Sequence, residues 1–125
     1  MLNKIFKIQL LGTLLFAVLL VFGSCKKEAD TLAVIIVKNS AGQIVSNASV
    51  KLSPDSIRSP GGLWPDPSLT KINKTDVNGR VEFTYELEVI LNIDVTKVEG
   101  NSIYTGTNII RLLRGKVITK EVEIN

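Results

Sequence analysis

The 125-residue chain has no histidine, and only one cysteine, one methionine and one tryptophan. Without imidazole there is no Ser-His-Asp triad, no histidine-containing zinc site and no phosphohistidine relay. A lone cysteine cannot close an intrachain disulfide. Neither sign of charge dominates. Fifteen basic and twelve acidic side chains give +3, but Lys4 and Lys7 lie in an apolar N-terminal segment, and from residue 25 onward thirteen basic face twelve acidic residues. A net charge of +1 offers no electrostatic footprint for nucleic acid. No apolar stretch reaches membrane-spanning length. The longest, residues 10–22, falls short of the roughly 18–20 residues that cross a bilayer core as a helix.

The same N-terminal stretch is informative in its order. Lys4 and Lys7 come first, the apolar run follows, and Gly23-Ser24-Cys25 closes it. Positive, then apolar, then small is the layout of a secretory signal peptide. The only cysteine, placed directly after Gly23-Ser24, makes the segment resemble a bacterial lipoprotein signal. The junction Ser24-Cys25-Lys26-Lys27 is similar to those of Bacteroidetes, with Phe22 where leucine is usual. The resemblance implies that residues 1–24 are removed and that Cys25 carries a diacylglyceryl group and an acylated amine. Each buried acyl methylene contributes about 0.8 kcal/mol, so two or more chains anchor stably. Residues 25–31 would then be the lipidated cysteine and a short polar tether, on the outer membrane, at its periplasmic face or the cell surface. The expected cofactor list holds nothing beyond this covalent lipid.

From residue 25 onward valine, isoleucine and threonine make up 31 residues, against eight leucines and four alanines. Branching at Cβ restricts helical rotamers and suits a pleated sheet. Residues 80–88 alternate apolar and polar at every step, as do residues 91–96, and more loosely 49–53. One face of each strand is core and the other is water. Residues 32–37 are apolar throughout, which predicts a strand covered on both faces or passing between two sheets. Turn signals recur at Asn39-Ser40-Ala41-Gly42, Asp76-Val77-Asn78-Gly79, Glu99-Gly100-Asn101 and Arg114-Gly115. Short strands at this spacing predict an all-β, antiparallel sandwich of about seven strands over residues 32–125, preceded by an N-terminal signal helix.

Two stretches carry a resemblance to a known family. Residues 37–52, VKNSAGQIVSNASVKL, and residues 75–83, TDVNGRVEF, are similar to the opening strand-turn-strand and the Thr-Asp-x-x-Gly-x-x-x-Phe hairpin of carboxypeptidase regulatory-like domains. That family has transthyretin-like (prealbumin-like) sandwiches of immunoglobulin-like arrangement. Ile44 stands where proline is common and Asn47 where glycine is common, which implies a softer kink. Gly100 and Tyr104 correspond to the family's Gly-Tyr after the fifth strand. The family is used as an accessory, adhesive or scaffold module, and lipoproteins of this kind serve as footholds of secretion assemblies.

Candidate chemistry is thin. Asp76-Val77-Asn78-Gly79 looks like the start of a calcium loop but lacks the later ligands, so a plain hairpin with Gly79 at positive φ accounts for it better. Lys38 and Asn125 are the pair an isopeptide crosslink would need, and Lys38 is one position out of the inward phase of Ile35 and Val37. Glu82, Glu86 and Glu88 share one polar strand face, with no base or pocket beside them, and read as a solvated surface. No enzyme is expected. The segment 54–69 is the feature that fold leaves unexplained. It holds all four prolines and the only tryptophan, and loops of this length are often functional. Arg58, Leu63, Trp64 and Asp66 are its candidate partner-binding side chains, since a stiff loop loses little entropy on binding and tryptophan anchors interfaces. Packing of Leu63 and Trp64 as a cap over the open end of the sandwich is the structural alternative. The expected role is a non-catalytic protein-binding or scaffold module that meets another envelope protein. Glycan binding at Trp64, or insertion of the proline-rich loop into a protease, are the alternatives.

Overall fold

The computed structural model describes residues 2–21, 27–54 and 67–125. Cys25, Arg58, Leu63, Trp64 and Asp66 therefore lie outside the described residues. Helix α1 (Leu2–Val21) leaves the side chains of residues 3–16 exposed, with Ile5, Phe6, Leu11 and Phe16 among them. No helix of the described residues is long and apolar enough to cross a membrane.

Seven strands follow among the described residues: β1 (Thr31–Asn39), β2 (Ser49–Pro54), β3 (Lys71–Lys74), β4 (Arg80–Tyr85), β5 (Val89–Glu99), β6 (Ser102–Leu112) and β7 (Val117–Ile124). They form two sheets, ordered β4-β1-β7 and β3-β2-β5-β6. The inward faces, led by Ile35, Val37, Leu52, Phe83, Leu91, Ile93, Ile110, Leu112 and Val122, make one core. Fully burying each such side chain contributes about 1.5–3 kcal/mol.

The sheets are not wholly antiparallel as expected. β1 and β7 run parallel, from Leu32 opposite Val117 to Asn39 opposite Ile124. The reason is the direction from which β7 starts. Residues 113–116 return the chain to the end where β1 begins, and Leu32 N–H donates to the Lys116 carbonyl and Gly115 N–H to Thr31 Oγ1. β1 is central to its sheet and does not pass between the two. Its inner positions Ala33, Ile35 and Val37 are fully buried, and on its outer face Val34 is buried while Leu32 and Ile36 are half-buried between β4 and β7.

A second correction concerns residues 80–88. The alternation continues through Glu88, but β4 ends at Tyr85, and residues 86–88 carry the chain across to the other sheet. Glu82, Glu86 and Glu88 therefore do not share a strand face. Glu82 pairs with Arg80, and Glu88 Oε1 accepts a long bond from Arg114 N–H.

Two turns are built alike. Asn39 Oδ1 accepts from the N–H groups of Ala41 and Gln43, and Asp76 Oδ1 from those of Asn78 and Arg80, with Gly42 and Gly79 at positive φ three positions on. Such side-chain mimicry of a backbone turn is the ordinary work of Asn and Asp. Between them, Thr75 stitches the kink ahead of β2. Its hydroxyl donates to the Val45 carbonyl and accepts from Ala48 N–H, at 2.8 and 2.9 Å. Asn47 takes φ 55°, so the kink keeps a glycine-like conformation although no glycine stands there.

The two long sides of the sandwich differ. On one, β6 and β7 meet closely: Thr105 and Asn125 exchange both backbone hydrogen bonds and Asn108 Nδ2 donates to the Glu121 carbonyl. On the other, β3 and β4 are bridged by side chains, described next.

Candidate functional site

Strand direction sorts the connections to two ends. At one end lie Thr31, where the chain arrives from residues 27–30, the junction 86–88, the junction 113–116, and the roots of segment 54–69, Pro54 and the 3-10 turn Pro67–Leu69. At the other end lie the turns around residues 39–48, 75–79 and 99–102 and the end of β7. The proline-rich segment is thus rooted at the end where the chain enters the sandwich.

Its return is pinned by Tyr85. The residue is 4 % exposed, its hydroxyl donates to the Leu69 carbonyl at 3.0 Å, and Lys71 Nζ lies 4.5 Å from the ring centre while donating to the Thr84 carbonyl. Burial disfavours the phenolate and pushes the Tyr85 pKa from 10.0 up to about 12. Because the folded state holds the proton more tightly, this contribution is complete below about pH 10 and is lost as pH rises from there through about 12. Tyr85→Phe is therefore expected to lose about 1 kcal/mol at neutral pH, from the unpaired Leu69 carbonyl. It should also lose less further stability than the wild type between pH 10 and 12, as checked by urea unfolding at both pH values.

The other sequence candidates are placed as follows. The Asp76 carboxylate oxygen Oδ1 is committed to the hairpin. Lys38 Nζ points away from the core and pairs with Glu121 at 2.8 Å. Among the described residues no group of three potential metal ligands comes together.

The feature sequence reasoning missed lies at the far end. A cleft of about 220 Å³ opens there, lined by Asn39, Ser40, Val45, Lys97, Glu99, Tyr104, Ile124 and Asn125. Leu91, Ile93 and Val95 are the inward positions of β5, and the same period-two phase continues through Lys97 and Glu99. Tyr104, on β6, is the direct partner of Lys97. Lys97 Nζ is held by the Ser46 carbonyl at 2.8 Å. Among the described residues the Tyr104 hydroxyl and the Glu99 carboxylate have no hydrogen-bond partner, and Tyr104 is 38 % exposed. The signal was present in the sequence as charged residues on an inward phase.

No family model and no curated protein matches the chain. Among solved structures, catechol 1,2-dioxygenase from an Acinetobacter species is similar at a TM-score of 0.48 and 10 % identity over 82 % of this chain. The chain spans about half of that enzyme, 54 % of its length. A chlorocatechol dioxygenase from Rhodococcus opacus aligns at 0.49 and 11 % identity, over 81 % of this chain and 61 % of its own. A candidate carbohydrate-binding protein from Pseudomonas aeruginosa aligns at 0.49 and 13 % identity, over 82 % of this chain and 93 % of its own.

Proposed function

We propose that the protein is a lipoprotein anchored through Cys25, whose transthyretin-like sandwich of the carboxypeptidase regulatory-like kind is a non-catalytic binding or scaffold module of a bacterial cell envelope. The supporting observation is the division of labour along the chain. The sandwich has a core of its own, while the described side chains of α1, residues 3–16, are exposed and residues 27–30 are an exposed, charged link. An apolar stretch behind Lys4 and Lys7 whose described side chains are left uncovered suits a signal segment.

The six steps from Cys25 to Thr31 reach at most about 20 Å. Anchoring would therefore keep the end that carries the roots of segment 54–69 close to the bilayer. Arg58, Leu63, Trp64 and Asp66 would meet an envelope partner there, at the membrane surface. The test is metabolic labelling with an alkyne fatty acid followed by membrane fractionation. Wild type should carry the label and sediment with membranes. Cys25→Ser should lose the label altogether, whether it is released or kept as a precursor. An unlabelled wild type would overturn the reading.

A further inference from the structure

We infer that the cleft at the far end of the sandwich binds one neutral sugar unit, at the exposed end of a glycan. The first ground is the phase of β5. A sandwich needs apolar residues at inward positions, and Leu91, Ile93 and Val95 supply them, yet Lys97 and Glu99 occupy the next two. With Tyr104, the strand partner of Lys97, they give the cleft a polar floor where the core pattern would continue apolar.

The second ground is size. The cleft offers some 220 Å³, below the roughly 300–1,000 Å³ of sites for drug-sized ligands. That suits a single pyranose ring and is too small for a folded peptide.

The third is chemistry. A pyranose offers a C–H face and a rim of hydroxyls that both donate and accept. Tyr104 supplies an aromatic wall and a free hydroxyl, Glu99 an acceptor, Ser40 a group that does both, and Lys97 a donor already fixed in place by Ser46. Aromatic walls with a few placed polar groups are the usual make-up of small-ligand sites. The two charges are opposite, so an anionic ligand meets Glu99 and a cationic one meets Lys97, and a neutral polyol is favoured over either. Asn39 contributes a rigid wall, because its side chain is held by Ala41, Gln43 N–H and Gln43 Oε1.

The fourth is position. β1 runs nine residues from the tether side to this end, about 26 Å at the rise of an extended strand. A glycan approaching from outside would reach the cleft unobstructed by the membrane. This last ground rests on the anchoring proposed above, whereas the cleft's size and chemistry do not.

The test uses the full chain in detergent, as wild type, Tyr104→Ala, Glu99→Gln and Trp64→Ala. Each is titrated with glucose, galactose, mannose and N-acetylglucosamine by calorimetry and saturation-transfer NMR, beside glucuronate and glycine as charged probes. At least one neutral sugar should bind wild type. Tyr104→Ala should weaken it about tenfold or more, and Glu99→Gln, an exposed change that leaves the core intact, several-fold. Trp64→Ala should leave it unchanged. Absence of binding by every neutral sugar, preference for glucuronate or glycine, or loss with Trp64→Ala but not with the cleft variants would overturn the inference. Cys25→Ser should keep sugar binding while losing the fatty-acid label, so a failed anchor and a failed cleft give separate readings.

Discussion

Gly106→Ala is expected to be the most damaging single-methyl change in the sandwich, lowering stability by about 3 kcal/mol or more. A Cβ at this position would stand 2.2 Å from the Glu123 carbonyl oxygen and 3.0 Å from both the Glu123 carbonyl carbon and Ile124 Cγ2. The obstacle is backbone, so no rotamer change relieves it. β6 and β7 would have to separate where Thr105 and Asn125 exchange their hydrogen bonds, a contact that, with the Asn108–Glu121 hydrogen bond, joins the two sheets along this side. For a domain of this size the loss corresponds to a fall in Tm of roughly 10–20 °C. Calorimetric melting reads it directly, and a Tm within about 2 °C of wild type would mean that the two strands can part without cost.

The second large effect is expected at Gly79, and Gly42 provides its control. Both occupy the same position of the same kind of turn, at φ 69° and 79°. An alanine in the left-handed region costs about 1–2 kcal/mol at either site. At Gly42 a Cβ meets nothing within 4 Å, whereas at Gly79 it stands 2.9 Å from Ile44 Cβ, 3.1 Å from the Val37 carbonyl and 3.2 Å from Val45 N. Gly79→Ala should therefore cost about 2–4 kcal/mol and Gly42→Ala about 1 kcal/mol. The difference measures how tightly the hairpin of residues 75–80 closes on the kink at residues 44–48. Denaturant midpoints at constant slope would resolve it, and equal losses at the two glycines would show that the close packing at Gly79 carries no energy.

The turns were the most legible part of this fold, because Asn39, Gly42, Asp76 and Gly79 each act locally, through a side-chain acceptor or a backbone conformation that few residues supply. The alternations at residues 80–85 and 91–96 were legible for the same reason. What the residues did not convey was where an alternation stops and in which direction a strand lies. Glu86-Leu87-Glu88 keeps the period of β4 although the chain is already crossing to the other sheet. β7 alternates equally well in a parallel or an antiparallel pairing, and the return through residues 113–116 decides between them. The far-end cleft was hidden by the opposite error of pattern. Lys97 and Glu99 break the apolar rhythm as a strand ending does, yet β5 stays paired with β6 at every step to Glu99 opposite Ser102. Segment 54–69 was singled out by its prolines and Trp64, and the topology adds which end of the sandwich holds its roots.

The parallel pairing of β1 with β7 has a consequence in time. Leu32 and Val117 are neighbours in space and 85 positions apart in sequence, so the first strand of the sandwich waits for the last. Until residues 117–124 arrive, β1 has β4 beside it and nothing on its other edge. Closing so long a loop is slow, and it rewards the chain only at the finish. A nascent chain holding β1 to β6 therefore has an unpaired, apolar edge at residues 32–37. Such edges invite association with other chains. The order of the strands delays completion of the fold until the whole sandwich sequence is present.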